Sequence, residues 1–230
     1  YRIIQIDPDF VPAETTTQEV FGIQFAQKRN TVIPTLAGFD NIVTENKQLP
    51  DNAKRDMLVA LIALKYTQSN SVCFAKDGQL IGVGAGQQSR IHCVRLAAAK
   101  AETWWLRQHP TVLNLPFREK IGRPERDNAI DQFLLDGLSE AEERHWLQSF
   151  KEVPGRLSSA EKRHWLTQLQ DATLGSDAFF PFRDSIDRAQ QSGVAYVVQP
   201  GGSIRDNTVI DACNEYAISM AFTGTRLFHH

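Results

Sequence analysis

Ser71-Val-Cys-Phe-Ala-Lys76, Asp77-Gly78, Gln79-Leu-Ile-Gly-Val-Gly-Ala85, Gly86-Gln-Gln-Ser89 and Arg90-Ile-His-Cys-Val94 run on without a break, and their reading decides the fold. Two short apolar runs flank an Asp-Gly pair, the dipeptide that tolerates the positive φ angles of a tight hairpin turn. Ser89 then opens a segment with Ile91, Val94, Leu96 and Ala97 to Ala101, whose alanines and apolar spacing predict a helix packed on the hairpin. Upstream, Met57, Leu58, Leu61, Ile62 and Leu64 recur at helical spacing up to Tyr66, with Asp51 and Asn52 as N-caps. The unit reads helix, hairpin, helix.

Working outward, Tyr1 to Asp7 reads as a strand carrying Ile3, Ile4 and Ile6, and residues 8–50 as a partly structured lead-in rich in Thr, Pro, Asn and Gln. Residues 103–175 change character. All four tryptophans lie there among clustered charges, and two capping boxes, Ser139 with Glu142 and Ser158 with Glu161, each precede a short helix anchored by Trp146 or Trp165. Regularity returns near Asp177, with a helix over 184–192 ended by Gly193 and a strand over Val194 to Val198. A Gly-rich turn over Pro200 to Asp206, a helix over Thr208 to Tyr216 and a strand over Ile218 to Phe222 follow. Alternating strands and helices predict an α/β fold with a parallel or mixed sheet and helices on its faces, where ligands gather as loops leave the strand ends. The domain reading is a lead-in over 1–50, an α/β subdomain from 51–102 and 176–230, and a helical insertion over 103–175.

The chain has 230 residues, with 25 basic against 27 acidic side chains and a net charge of −2, so no global field steers it toward nucleic acid or anionic lipid. An odd number of cysteines, Cys73, Cys93 and Cys213, in apolar surroundings suits a reducing compartment, and cytosol is the expected location. No window reaches ~18 consecutive apolar residues, so no membrane span is expected, and the start lacks the basic flank and long apolar run of a signal peptide. A chain that opens inside a predicted strand, without an initiator Met, is expected to be a fragment or a processed product.

Gly82, Gly84 and Gly86 suggest a phosphate-binding loop, but the third glycine of a dinucleotide fingerprint is replaced by Gln87 and the strand belongs to a hairpin. Two readings stand: an anion-binding corner formed by the helix start and Arg90, or a glycine strand packed closely against a helix. His92 after a hairpin resembles the first ligand of a zinc nucleobase deaminase, yet Val94 stands where the Glu is needed. The later helix start, Phe179-Phe-Pro-Phe-Arg-Asp184, holds no thiol, so a deaminase-like scaffold without metal is expected. The ring-rich loop before Asp184 reads either as core or as a sandwich for a flat heteroaromatic ligand.

Lys65-Tyr-Thr-Gln-Ser-Asn-Ser-Val-Cys73, Gly84-Ala-Gly-Gln-Gln-Ser-Arg-Ile-His92, Ser176 to Asp187 and Arg226-Leu-Phe-His-His230 together resemble the aminoimidazole-carboxamide ribonucleotide (AICAR) formyltransferase region of the bifunctional purine biosynthesis proteins. The resemblance runs over nearly the whole chain and is least specific in the insertion. It implies a three-layer α/β/α cytidine-deaminase-like fold and formyl transfer from 10-formyltetrahydrofolate to the 5-amino group of AICAR, without a metal, in a homodimer. Residue by residue, it implies nucleotide contacts from Asn70 across the dimer interface, from Arg90, Arg226 and His230, and from the rings of Phe179 and Phe228. Asn70 is the implied catalytic contact. Asp184, with Ile91, Ser203 and Ile204, would hold the folate.

The family's Lys-His-x-Ser-Pro-Ala-Gly motif occurs nowhere in residues 1–230. Without that acid–base pair each proton transfer is expected to slow by ~10² to 10⁴, so this chain is expected to be the C-terminal half of the transformylase, inert alone and lacking the IMP cyclohydrolase domain. The alternative is a non-catalytic nucleotide- or folate-binding protein on the same fold. Trp104 and Trp105, if exposed, would suit an interface.

Overall fold

The computed structural model describes residues 2–228, which form two compact units, the first ending at Ile33 and the second beginning at Pro34. In the first, β1 (Thr15–Val20) and β2 (Ile23–Lys28) make an antiparallel hairpin around Phe21 and Gly22, both at positive φ. The strand expected over Tyr1 to Asp7 is not found in its described part: residues 2–7 are irregular and Ile3, Ile4 and Ile6 are exposed. Three isoleucines supply β-propensity, but a strand exists only where a neighbour takes its N–H and C=O groups.

The second unit contains α1 (Asp51–Lys65), β3 (Ser71–Lys76), β4 (Gln79–Ala85), α2 (Arg90–Leu106), α3 (Pro110–Leu113), α4 (Arg123–Leu134), α5 (Glu140–Leu147), α6 (Ser159–Leu166), β5 (Ala172–Ser176), α7 (Asp184–Gln190), β6 (Val194–Gln199), α8 (Asp206–Glu215) and β7 (Ser219–Phe222). Its sheet runs β4-β3-β5-β6-β7. Strand β3 is antiparallel to both β4 and β5, whereas β5, β6 and β7 are parallel. This is the α/β fold with a mixed sheet that the alternating pattern predicts. Helices α2, α7 and α8 cover one face through Val94, Ala97, Ile186 and Val209 against Val72, Phe74, Leu174 and Val197. Helix α1 covers the other, with Ala60, Leu61 and Leu64 against Cys73, Ala75 and Val198.

Several boundaries differ from the sequence reading, each for a local reason. Asp51 is not the cap of α1: Pro50 holds the extended N-cap position, and Asp51 lies in the first turn, where its charge opposes the positive end of the helix dipole. Strand β5 was not predicted, because Ala172-Thr-Leu-Gly-Ser176 is short, small and buried throughout, so no alternation marks it. It is nevertheless the central strand, and α2 runs on through Trp104 and Trp105 to Leu106. Residues 34–49 seal an edge. Val43 N–H bonds to the Met220 carbonyl at 2.9 Å and Phe222 N–H to the Asn41 carbonyl at 2.9 Å, so β7 is not left with open ladder groups.

The helical stretch α3 to α6 has its own small core of Val112, Phe133, Trp146, Phe150 and Leu157. Trp146 is buried and its indole N–H donates to the Ala129 carbonyl at 2.9 Å. Both capping boxes are formed: Ser139 and Ser158 accept from the N–H groups of Glu142 and Glu161, and both glutamates bond back. Trp104 and Trp105 are half-buried, packed against the main core. The indoles of Trp105 and Trp165 each donate to the other's backbone carbonyl at 3.0 Å, which fastens α6 to the end of α2.

The glycine run is resolved in favour of close packing. A Cβ at Gly82 would lie 2.1 Å from the Ala97 carbonyl oxygen, and one at Gly84 would lie 2.0 Å from that of Cys93. Both glycines therefore let the backbone of α2 rest on β4. Backbone cannot retreat as a side chain can, so Gly84→Ala is expected to cost about 3 kcal/mol or more, read as a lower urea midpoint at unchanged m-value.

All three cysteines are buried and unpaired. Burial pushes the Cys213 thiol from an ordinary 9.0 to about 12 and raises Cys73 as well, with the nearby Asp177 carboxylate adding to the effect. The native thiols should therefore resist aromatic disulfide reagents at pH 8 and react on unfolding. Between pH 9 and about 12 the unfolded chain releases the Cys213 proton that the folded chain retains, so stability should fall as pH rises through this window. Urea titrations at pH 7 and pH 10 check the sign.

Candidate functional site

The register of the sheet fixes where its loops emerge. Ser71 pairs with Ala85, Val72 with Ser176, Gly175 with Val198, and Gln199 with Phe222. The start of β3 and the ends of β4, β5, β6 and β7 therefore lie at the same end of the sheet. That end gathers Asn70 before β3, Arg90 and Ile91 at the start of α2, and Phe179 and Asp184 after β5. It also gathers Ser203 and Ile204 after β6, and Arg226 and Phe228 after β7. Helix N-termini converge there too, the arrangement in which α/β proteins bind ligands. His230 lies outside the described residues.

Four of these residues are joined in two pairs. The Arg90 guanidinium donates to Oδ1 of Asn70 at 3.1 Å, and the Asn70 amide donates to the Gln87 carbonyl at 3.2 Å. Arg226 stands over the Phe179 ring, 5.0 Å from its centroid, within the reach of a cation–π contact. Phe179 is half-buried; Arg226 and Phe228 are exposed.

Asp177 joins the pairs, and the sequence reading missed it. Its carboxylate is fully buried and accepts from Arg90, from the Ser69 hydroxyl, and from the Ser71 N–H at 3.1 Å and hydroxyl at 3.0 Å. Its carbonyl accepts from the Leu227 N–H at 2.8 Å, between Arg226 and Phe228. Arg90 also donates to the Ser71 carbonyl at 2.8 Å, and the peptide between Ser69 and Asn70 is cis. A buried guanidinium and carboxylate each satisfied by several partners escape the penalty of an unpaired buried charge. The one signal in the sequence was its place as the second residue of the Ser176-to-Asp187 motif, which gave no hint of burial.

The remaining predicted residues differ in exposure. Asp184 is exposed in the first turn of α7. Its neighbour Arg183 is engaged elsewhere, reaching Asp187 at 3.0 Å and Glu215 at 2.8 Å. These bonds hold the Arg183 guanidinium above its usual range and both carboxyls below theirs. Ile204 is fully exposed on the loop after β6, where Asp206 accepts from the N–H groups of Gly202 at 2.7 Å and Ser203 at 3.2 Å. Ile91 is half-buried against the main core. Gln199, buried, takes the Phe180 N–H at 2.8 Å and so pins the ring-rich loop to β6.

Cavities of about 400 Å³ and 370 Å³ lie along α2 and α4, lined by Ala99, Thr103, Trp104, Arg107 and Leu134 among others, and no predicted site residue lines them. Among the described residues no group of three or more His, Cys, Asp and Glu side chains is gathered as a metal cluster. His92 is exposed, while the Cys93 thiol is buried and donates to the Asn70 carbonyl at 3.1 Å. No described helix is long and apolar enough to cross a membrane.

Residues 1–100 match the family model described as AICARFT/IMPCHase bienzyme. The bifunctional purine biosynthesis protein PurH of Xylella fastidiosa (strain 9a5c) is 35% identical over 180 residues, which is 78% of this chain and 23% of that protein. The chain therefore spans about a quarter of the length of that relative. The chain is a region related to the AICARFT/IMPCHase bienzyme family of bifunctional purine biosynthesis proteins.

Proposed function

We propose that this chain contributes the nucleotide- and folate-binding half of an AICAR formyltransferase, the complete protein also carrying IMP cyclohydrolase activity. The observation that supports this is the gathering of Asn70, Arg90, Phe179 and Arg226 at one sheet end in a chain related to the bienzyme family. In the proposed reaction the bond from the formyl carbon to N10 of the folate breaks, a bond to the AICAR amine forms, and the amine proton leaves as the folate nitrogen gains one. Arg226 and Phe179 offer a planar cation and a ring to an anionic, flat nucleotide. Asn70, oriented through its Oδ1 by Arg90, is available to contact the amine or its carboxamide neighbour. Asp184 at the start of α7 suits the N–H groups of a pterin, with Ser203 and Ile204 beside it.

The amine is a weak nucleophile, its lone pair delocalised into the imidazole carboxamide, so transfer needs a positioned base and acid. Neither is supplied by a Lys-His pair in this sequence. In this proposal the upstream half supplies that pair, the assembly is a homodimer with sites shared between copies, and it works in the cytosol with no metal.

The test is formyl transfer by the chain alone and after mixing with the upstream half of a family protein. No turnover alone and turnover on mixing is the expected result; turnover by the chain alone overturns the division of labour. Phe179→Ala should weaken AICAR binding by roughly tenfold, measured by calorimetry; an unchanged affinity would remove the ring from the site.

A further inference from the structure

We propose that Asp177 is a positioning residue for the nucleotide half of the site, an inference that rests on the functional reading above. Asp177 holds three separate chain segments. Its carboxylate fixes the Ser69-to-Ser71 segment and the Arg90 guanidinium, and its carbonyl fixes Leu227. Asn70 lies within the first segment, Arg90 orients the Asn70 amide, and Arg226 adjoins Leu227. Phe179 follows Asp177 by two residues. Every described side chain assigned to the nucleotide, Phe228 included, is thus within two residues of an Asp177 contact or of Asp177 itself. Of the residues assigned to the folate, Ile91 adjoins Arg90, whereas Asp184 at the start of α7 and Ser203 and Ile204 after β6 stand on segments to which Asp177 makes no bond.

Two physical effects of Asp177 have opposite signs. Its charge offsets that of Arg90, so its removal would strengthen attraction for a phosphate if net charge dominated. Its bonds also fix Arg90 and Asn70 in one orientation, and their loss leaves a guanidinium buried without its anion. Buried ionic partners lose far more from disrupted geometry than an exposed pair gains in long-range field. The positioning effect should therefore win, and Asp177→Asn, which keeps the shape and removes the charge, should bind more weakly.

The experiment titrates AICAR and, separately, a reduced-folate analogue into the full chain and its Asp177→Asn and Ser71→Ala variants at two salt concentrations. The expected result is nucleotide affinity lowered by about 30-fold or more in Asp177→Asn, with folate affinity within about twofold and Ser71→Ala within about threefold of the parent. Unchanged or tighter nucleotide binding by Asp177→Asn, or an equal loss for both ligands, overturns the proposal. A ligand-free measurement stands beside it: ¹⁵N NMR of Arg90 should find side-chain protons exchanging far more slowly than those of exposed arginines in the parent, and quickly in Asp177→Asn. Fast exchange in the parent overturns the proposal without any variant. If the parent binds no nucleotide, the functional reading fails, and the Arg90 exchange rates still decide whether Asp177 positions that side chain.

Discussion

The backbone of α2 rests directly on β4, and the site geometry follows from that contact. Only a strand without Cβ atoms at positions 82 and 84 admits a helix so close, since carbonyl oxygens of α2 occupy the space that side chains would fill. The close approach seats the first turn of α2 over the start of β3. Arg90 is thereby carried into the protein, where the Ser71 carbonyl, Asn70 and the Asp177 carboxylate receive it. A helix held a few ångströms farther out would leave Arg90 in water and Asp177 buried without its cation, a state that folding does not tolerate cheaply. Packing and electrostatics at this end of the molecule are one arrangement.

The same helix carries the other distinctive feature of the chain. Its far end bears Trp104 and Trp105, and the reciprocal indole-to-carbonyl bonds between Trp105 and Trp165 fasten the helical stretch there. That stretch brings its own core and its own caps, so it adds α3 to α6 without disturbing strand order. The sheet edge is handled in a similar economical way: residues 41–43 pair with β7, and the Thr44 hydroxyl takes the Met220 N–H at 2.9 Å. The segment over residues 41–44 thus gives β7 backbone groups the partners that an open sheet edge would leave to water.

Charge around the sheet end is largely spoken for before any ligand arrives. Arg90 is matched by Asp177 and Arg183 by Asp187 and Glu215. Arg226, poised over Phe179, and Asp184, at the start of α7, are left at the surface. In the proposed function the exposed cation would face an anionic molecule and the exposed carboxylate one rich in N–H donors, beside an interior whose charges are already compensated.

Local chemistry made much of this legible in the residues alone. Asp77-Gly78 specified a hairpin whose two turn residues both have positive φ, Ser139 with Glu142 and Ser158 with Glu161 specified caps, and helical spacing specified α1 and α2, because each depends on neighbours three or four positions away at most. The long strings around Asn70, Arg90, Phe179 and Arg226 carried the family and the candidate site. The folded arrangement alone decided that Ala172–Ser176 is the central strand, since a run buried on both faces has no alternation to read, and that Ile3, Ile4 and Ile6 form no strand, since pairing needs a partner that propensity does not provide. It alone decided the part played by Asp177. A carboxylate becomes an anchor only when segments some 90 to 110 residues away in the chain fold around it, and no local pattern records that distance.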